Sequence, residues 1–162
     1  MPPPLIMTEH ETERQRPDSL NPMVRFLLVS VVAGLLAVFW LARWKLNPYD
    51  AEGVPNRLET HTQLGLPPCT FKVLVHKPCP SCGMTTAFSL LAHGDLANSL
   101  AANWVGTLLA LFCLVLLPWA VASLVRRRTL WIRSLERGLS CVVFVFLALM
   151  LIRWAIVLGH GT

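Results

Sequence analysis

The stretch that decides the fold is LAANWVGTLLALFCLVLLPWAVASLV, residues 100–125. It contains no charged side chain, and it exceeds the length of about 20 apolar residues that a helix needs to cross a bilayer. Pro118 lies inside the run and predicts a kink, which membrane helices tolerate. The stretch therefore predicts a transmembrane helix over residues 100–125.

Two further apolar runs lie on either side of this stretch. The first, FLLVSVVAGLLAVFWLA at 26–42, is uncharged and bracketed by Arg25 and Arg43. The second, LSCVVFVFLALMLIRWAIVL at 139–158, is interrupted only by Arg153. We expect the long Arg153 side chain to reach the lipid headgroups beside Trp154, and a buried functional cation is the alternative. The runs predict transmembrane helices at 23–44 and 139–158, and hence an all-α integral membrane protein with three spans.

The composition agrees with a chain that contacts the lipid bilayer. It is 54% hydrophobic and 14% charged, whereas soluble domains carry about 25% charged residues. The basic excess flanks the spans and forms no basic face with interleaved aromatic residues, which argues against nucleic-acid binding. Residues 1–22 are polar and proline-rich with no apolar periodicity, so they predict a disordered tail.

Arginines predict the orientation of the chain in the membrane. The short connection at 126–138 contains five of them, Arg126, Arg127, Arg128, Arg133 and Arg137. Short loops rich in arginine stay in the cytoplasm. We therefore expect a multi-pass protein of the bacterial cytoplasmic (inner) membrane. The tail 1–22 and the loop 126–138 would lie inside, and the segment 45–99 and the C-terminus outside.

The outer segment 45–99 contains three cysteines, Cys69, Cys79 and Cys82. Facing an oxidising compartment, they could form a disulfide that staples this proline-rich loop. The candidate pairs are Cys69–Cys79, Cys69–Cys82 and Cys79–Cys82, and the sequence does not choose among them. The other two cysteines, Cys113 and Cys141, fall in or at the edge of the spans, where we expect them to act as small apolar side chains.

A metal site is the second interpretation of the same cysteines. The three thiolates, with His76 or His93 as a fourth ligand, would make a tetrahedral site of the kind that zinc occupies. The turn CPSCG at 79–83 is tight enough to aim two sulfurs at one ion. Zinc is the one cofactor that the residues suggest.

A redox pair is the third interpretation. Cys79 and Cys82 have the C-x-x-C spacing of thiol–disulfide oxidoreductases, and Gly83 begins a predicted helix whose N-terminus favours thiolates. However, no thioredoxin-like βαβ pattern surrounds the pair, and the redox interpretation depends on that context. No other catalytic motif occurs in the chain. The sequence therefore favours a protein that is not an enzyme over a redox enzyme.

The residues after the cysteines predict a short amphipathic helix at 83–93 on the outer membrane face. Met84, Phe88 and Leu91 recur at helical spacing, and Gly94 is a natural helix stop. Asp95 follows at once and can cap the next helix through its carboxylate. Upstream, TFKVLVH at 70–76 is compatible with either a short strand or a helical turn.

These motifs resemble those of a family of small bacterial membrane proteins, domain of unknown function 2752. The family pattern is C-P-x-C-G-[LM]-T-R-A, then an apolar stretch, G-D, and N-P leading into a span. The matching residues are Cys79, Pro80, Cys82, Gly83, Met84, Thr85, Ala87, Gly94, Asp95 and Asn103, with Cys69 in an upstream cysteine box. Thr86 stands where arginine is common in the family, and Trp104 where proline often follows. The resemblance implies the site and the membrane architecture but no reaction.

Together these features predict a non-enzymatic envelope scaffold or interaction subunit with a disulfide-stapled or metal-binding cysteine loop. Its partner would be another membrane protein or a second copy of the chain. Ala102, Gly106 and Ala110 have the small-xxx-small spacing that suits such close helix contacts. The alternative is a membrane thiol–disulfide oxidoreductase, in which Cys79 is the nucleophile and Cys82 resolves the mixed disulfide.

Overall fold

The protein is all-helical in a computed structural model that describes residues 22–127 and 135–159. Within these ranges no β-strand forms, and β-type pairing is limited to an isolated bridge between Tyr49 and Pro55. The helices are α1 (Pro22–Trp44), α2 (Thr70–Val75), α3 (Met84–Ala92), α4 (Leu96–Val125) and α5 (Leu135–Gly159), with a 3₁₀ turn at Thr60–Leu64. The predicted all-α class is confirmed, and the segment left open at 70–76 is helical.

Three of the helices are long and apolar enough to cross a membrane. The candidate spans are Pro22–Trp44, Leu96–Val125 and Arg137–Gly159, with mean hydropathies of 2.4, 2.6 and 2.7. Large apolar side chains face outward, including Phe26 at 74% and Phe144 at 71% exposure, as suits helices surrounded by lipid. The predicted tail 1–22 falls almost wholly outside the described residues, and the loop 126–138 falls partly outside them.

Small residues bring α3 against α4. Gly106 of α4 is so close to α3 that a Cβ built on it would lie 3.3 Å from Met84 Cα and 3.4 Å from Ala87 Cβ. Ala102 and Ala110, one turn before and after, are buried. This stripe had suggested contact with a partner protein. The structure uses it within the chain, because α3 occupies the face that the stripe presents.

Buried hydroxyl groups attach α3 to its neighbours. Ser89 Oγ donates to the Ala42 carbonyl of α1 at 3.0 Å, and Ser99 of α4 donates to the Ala87 carbonyl at 2.8 Å. Thr60 Oγ1 donates to Thr86 Oγ1 at 2.8 Å. A buried hydroxyl without a partner is costly, so these bonds select one arrangement of the helices.

The backbone of α4 is interrupted at Asn103, where φ is −159° and ψ is 98°. The side chain caps the helical segment that follows, because Asn103 Oδ1 accepts from the Gly106 N–H at 3.0 Å. Its Nδ2 donates to the Cys82 carbonyl at 3.1 Å. Pro118, where a kink was predicted, keeps helical dihedral angles. The break in α4 therefore lies beside the cysteines.

Replacing Asn103 by Ala should destabilise the protein. The change leaves the Cys82 carbonyl and the Gly106 N–H unpaired in a fully buried position. Each such loss costs about 1–3 kcal/mol. We therefore expect the free energy of unfolding to fall by about 2 kcal/mol or more. Circular dichroism during heating in detergent measures the effect. The control is Asn98→Ala, which removes a partly buried amide from Asp95. If the Asn103→Ala and Asn98→Ala variants melted at the same temperature, the structural importance of Asn103 would be contradicted.

Candidate functional site

Three cysteines converge beside the break in α4. The Sγ atoms of Cys69, Cys79 and Cys82 all lie within 4.8 Å of one another, and Cys79 Sγ is 3.2 Å from Cys82 Sγ. Cys82 is buried, whereas Cys69 and Cys79 are half-buried. All five cysteines of the chain are free thiols, so none of the three candidate disulfides forms in this structure.

Local backbone geometry aims the sulfurs at one another. Cys69 immediately precedes α2, and Cys79 and Cys82 lie in a tight turn in which the Cys82 N–H donates to the Cys79 carbonyl at 3.1 Å. The Cys79 N–H donates to Cys82 Sγ at 3.3 Å. Ser81 Oγ lies 3.3 Å from Cys79 Sγ. Hydrogen-bond donors at sulfur favour the thiolate form, which is the form that binds metals.

Gly83 ends this turn in a position that only glycine fits. Its φ is +81°, in the left-handed region, and a Cβ there would lie 2.9 Å from the Ala102 carbonyl oxygen and 3.0 Å from that of Arg57. Both neighbours are backbone atoms, which cannot rotate away as a flexible side chain could. The glycine thus lets the cysteine turn pass close to α4 before α3 begins at Met84.

The C-terminal end of α5 packs over the cysteine turn. Trp154 Nε1 donates to the Pro78 carbonyl at 3.0 Å, and the Trp154 ring meets Phe71 of α2 edge-on, with centroids 6.0 Å apart. Arg153 Nη2 donates to the Ala102 carbonyl at 3.1 Å. The guanidinium is half-buried against α4, where the break at Asn103 frees the Ala102 carbonyl to accept from it.

Cys69 and Cys82 differ in their electrostatic surroundings. The backbone N–H of Lys72 donates to Cys69 and, with further donors, lowers the pKa of Cys69 to about 7. Burial raises the pKa of Cys82 to about 12, and its hydrogen bond with Cys79 adds to the rise. Cys69 therefore ionises at a lower pH than Cys82, which stays protonated unless a cation stabilises its thiolate.

A cavity of about 390 Å³ opens beside the cysteines. Its wall includes Glu59 and His61 from the 3₁₀ region, which the sequence had not indicated. The structure does not bring His76 into the cluster, because His76 is exposed at the end of α2 in a left-handed conformation. His93 is also occupied elsewhere, with Nδ1 2.8 Å from the Ser89 carbonyl and its ring against Tyr49.

The second half of the motif shapes the helix connection. Gly94 adopts a φ of +85°, and Asp95 caps α4 through Oδ1, which accepts from the Asn98 N–H at 3.1 Å. The Asn98 amide also donates to Asp95 Oδ2, and the bonds from Asn98 hold the pKa of Asp95 below its usual value. Tyr49 donates its hydroxyl to the same carboxylate at 3.2 Å. Asp95 therefore ties the loop to α4 and does not touch the sulfurs.

Replacing Gly83 by Ala should disrupt the site. The new methyl group would overlap two backbone carbonyls and would require the left-handed conformation, which alone costs an L-residue about 1–2 kcal/mol. We expect a lower melting temperature and faster alkylation of Cys82, the buried thiol. Gly94→Ala is the matched control at the other end of α3, since it meets the same dihedral cost with no atom within 4 Å. Equal effects of the two changes would contradict the close contact at Gly83.

A model of a known protein family matches the segment of the chain that contains this site. No curated protein and no solved structure matches the chain. Residues 69–117 match the family model described as "Protein of unknown function (DUF2752)", which confirms over this range the resemblance suggested by the motifs. The matched segment begins at Cys69 and extends through the cysteine turn, α3 and most of α4. The protein has three candidate membrane spans. Its three clustered cysteines all lie within a segment that is similar to DUF2752.

Proposed function

We propose that this protein is a non-enzymatic membrane platform whose outer loop binds one thiophilic metal ion of the zinc class. The ligands would be Cys69, Cys79 and Cys82. The observation that carries the proposal is the convergence of three thiols, from two separate segments of the loop, to within 4.8 Å of one another. Soft thiolate ligands select zinc or monovalent copper over harder cations.

The separations of the sulfurs suit a shared ion. Zinc–sulfur bonds of about 2.3 Å place tetrahedral sulfur ligands about 3.8 Å apart. Here Cys79 Sγ and Cys82 Sγ are 3.2 Å apart, and all three separations stay under 4.8 Å. Side-chain adjustments of about 1 Å would satisfy the ion. The fourth position would face the cavity, where His61 and Glu59 lie on the wall.

Binding a metal would order the outer loop. α2 has only six residues and contains no buried side chain, so it has little core of its own. A metal ion would join Cys69, at the start of α2, to the turn that leads into α3, and metal binding of this kind contributes to folding directly. The ordered loop would then offer a rigid surface to another envelope protein or to a second copy of the chain.

Titration with Co²⁺, a spectroscopic substitute for zinc, tests the metal site. The detergent-purified, reduced protein should bind one ion per chain and develop thiolate-to-cobalt charge-transfer absorption, which Zn²⁺ then displaces. Cys69→Ser should weaken binding by tenfold or more, because it removes one of three ligands. The double change Cys113→Ser and Cys141→Ser should leave binding intact, since neither cysteine belongs to the cluster. Absence of saturable binding by the unaltered chain would overturn the proposal.

Thiol–disulfide exchange is the second candidate, favoured by the contrast between half-buried Cys79 and buried Cys82. The Cys79 thiolate would attack a protein disulfide, forming a mixed disulfide and releasing one substrate thiolate. The Cys82 thiol, after losing its proton, would attack Cys79 and release the second substrate thiol. The substrate disulfide is then reduced and the Cys79–Cys82 pair oxidised. Trapping of a mixed disulfide by Cys82→Ser, but not by a further Cys79→Ser change, would favour this candidate over the metal platform.

The cysteine loop would face the outside of the cell, with the N-terminus in the cytoplasm. Support comes from the arginines at 126–138 and from the three candidate spans, with which the loop would lie across the membrane from that connection.

Labelling of intact cells tests this orientation. A membrane-impermeant maleimide should label a variant that keeps only Cys69. It should label a variant that keeps only Cys141, which lies near the start of α5, only after the membrane is opened. The reverse pattern would invert the orientation.

A further inference from the structure

Arg153 is a cation placed within an apolar helix near the cysteine cluster. It belongs to the candidate span Arg137–Gly159, whose mean hydropathy is 2.7, and it is half-buried. A charged side chain in such a helix is costly and calls for a defined partner. Among residues 22–127 and 137–159, no carboxylate forms an ion pair with Arg153.

The break in α4 connects Arg153 to the cysteine turn. In a regular helix the Gly106 N–H would donate to the Ala102 carbonyl, four residues earlier. Here the Gly106 N–H donates to the Asn103 side chain, which frees the Ala102 carbonyl to accept from Arg153. The next residue, Asn103, holds the Cys82 carbonyl. Two neighbouring residues of α4 therefore hold the guanidinium and the buried cysteine side by side.

A metal-loaded cysteine cluster would be a negatively charged neighbour of the guanidinium, because the adjacent residues Ala102 and Asn103 hold Arg153 and Cys82. A divalent ion bound by three thiolates carries one net negative charge, because each ligand must lose its proton. Lys72, another cation near the cysteines, is already paired with Glu59 at 2.8 Å. A cluster with one excess negative charge would thus lie beside a cation that pairs with no carboxylate among the residues whose side chains the structure describes.

We propose that Arg153 is the counter-charge of the metal–thiolate cluster, a positioning residue that stabilises the bound state without ligating the metal. This inference rests on the proposed metal site. It assigns α5 a role in that site, because Arg153 would compensate the charge while Trp154 holds the Pro78 carbonyl at the start of the turn.

Metal titration of charge variants in the full-length protein tests the role of Arg153. Arg153→Gln keeps an amide N–H that can donate to Ala102 but removes the charge. It should weaken Co²⁺ binding by about 10–100-fold, as changes around metal ligands commonly do, and should shift the thiolate-to-cobalt band. Arg153→Lys should retain most of the affinity. Arg43→Gln is the control, because Arg43 is an arginine at the outer end of α1 that lies over the Trp44 ring.

The outcomes separate this inference from the metal site itself. If Arg153→Gln binds Co²⁺ as tightly as the unaltered chain, with an unshifted band, while Cys69→Ser does not bind, Arg153 is only a packing residue. If the unaltered chain binds no metal, the proposed function is wrong, and the role of Arg153 that depends on it is wrong as well. Should Arg153→Gln not fold, Arg153→Lys decides, since retained affinity supports the counter-charge and lost affinity overturns it.

Discussion

The side-chain amide of Asn103 is the interaction on which the rest of the structure depends. Its Oδ1 accepts from the Gly106 N–H in place of a backbone carbonyl of α4, and its Nδ2 donates to the Cys82 carbonyl. In a helix surrounded by lipid, a broken backbone bond must be satisfied locally. The amide meets that constraint and, in doing so, attaches the cysteine turn to the longest helix.

Close approach of backbones is the second requirement. Gly83 lets the cysteine turn reach the carbonyl of Ala102, and Gly106 lets α3 lie directly on α4. Because the two glycines act on opposite sides of the same contact, α3 is held where its hydroxyl groups find partners on α1 and α4. This packing also determines where Cys79 and Cys82 lie, because the turn that contains them leads directly into α3.

Several features could be predicted from the sequence because they depend on neighbours along the chain. The spans follow from uninterrupted apolar runs, the cap at Asp95 from a carboxylate before a helix, and the helix after the cysteines from apolar spacing. The C-x-x-C spacing also indicated that Cys79 and Cys82 lie together. The contacts of Thr60, Glu59 and Arg153 and the place of His61 in the cavity wall were not predicted, because they involve residues far away in the chain. An arginine in an apolar run was the one local signal, and its partner was not apparent.

By itself, the sequence determined that the chain is helical, that three helices are apolar enough to cross a membrane, and that thiols gather in one polar loop. These properties follow from composition and from spacing within single segments. Only the tertiary structure decided that Cys69 joins the pair, that His76 stays outside, and that α5 places a cation and a tryptophan beside the turn. These arrangements depend on which buried polar groups find partners on other helices. The sequence did not show whether the small residues on α4 pack against α3 or against a second chain.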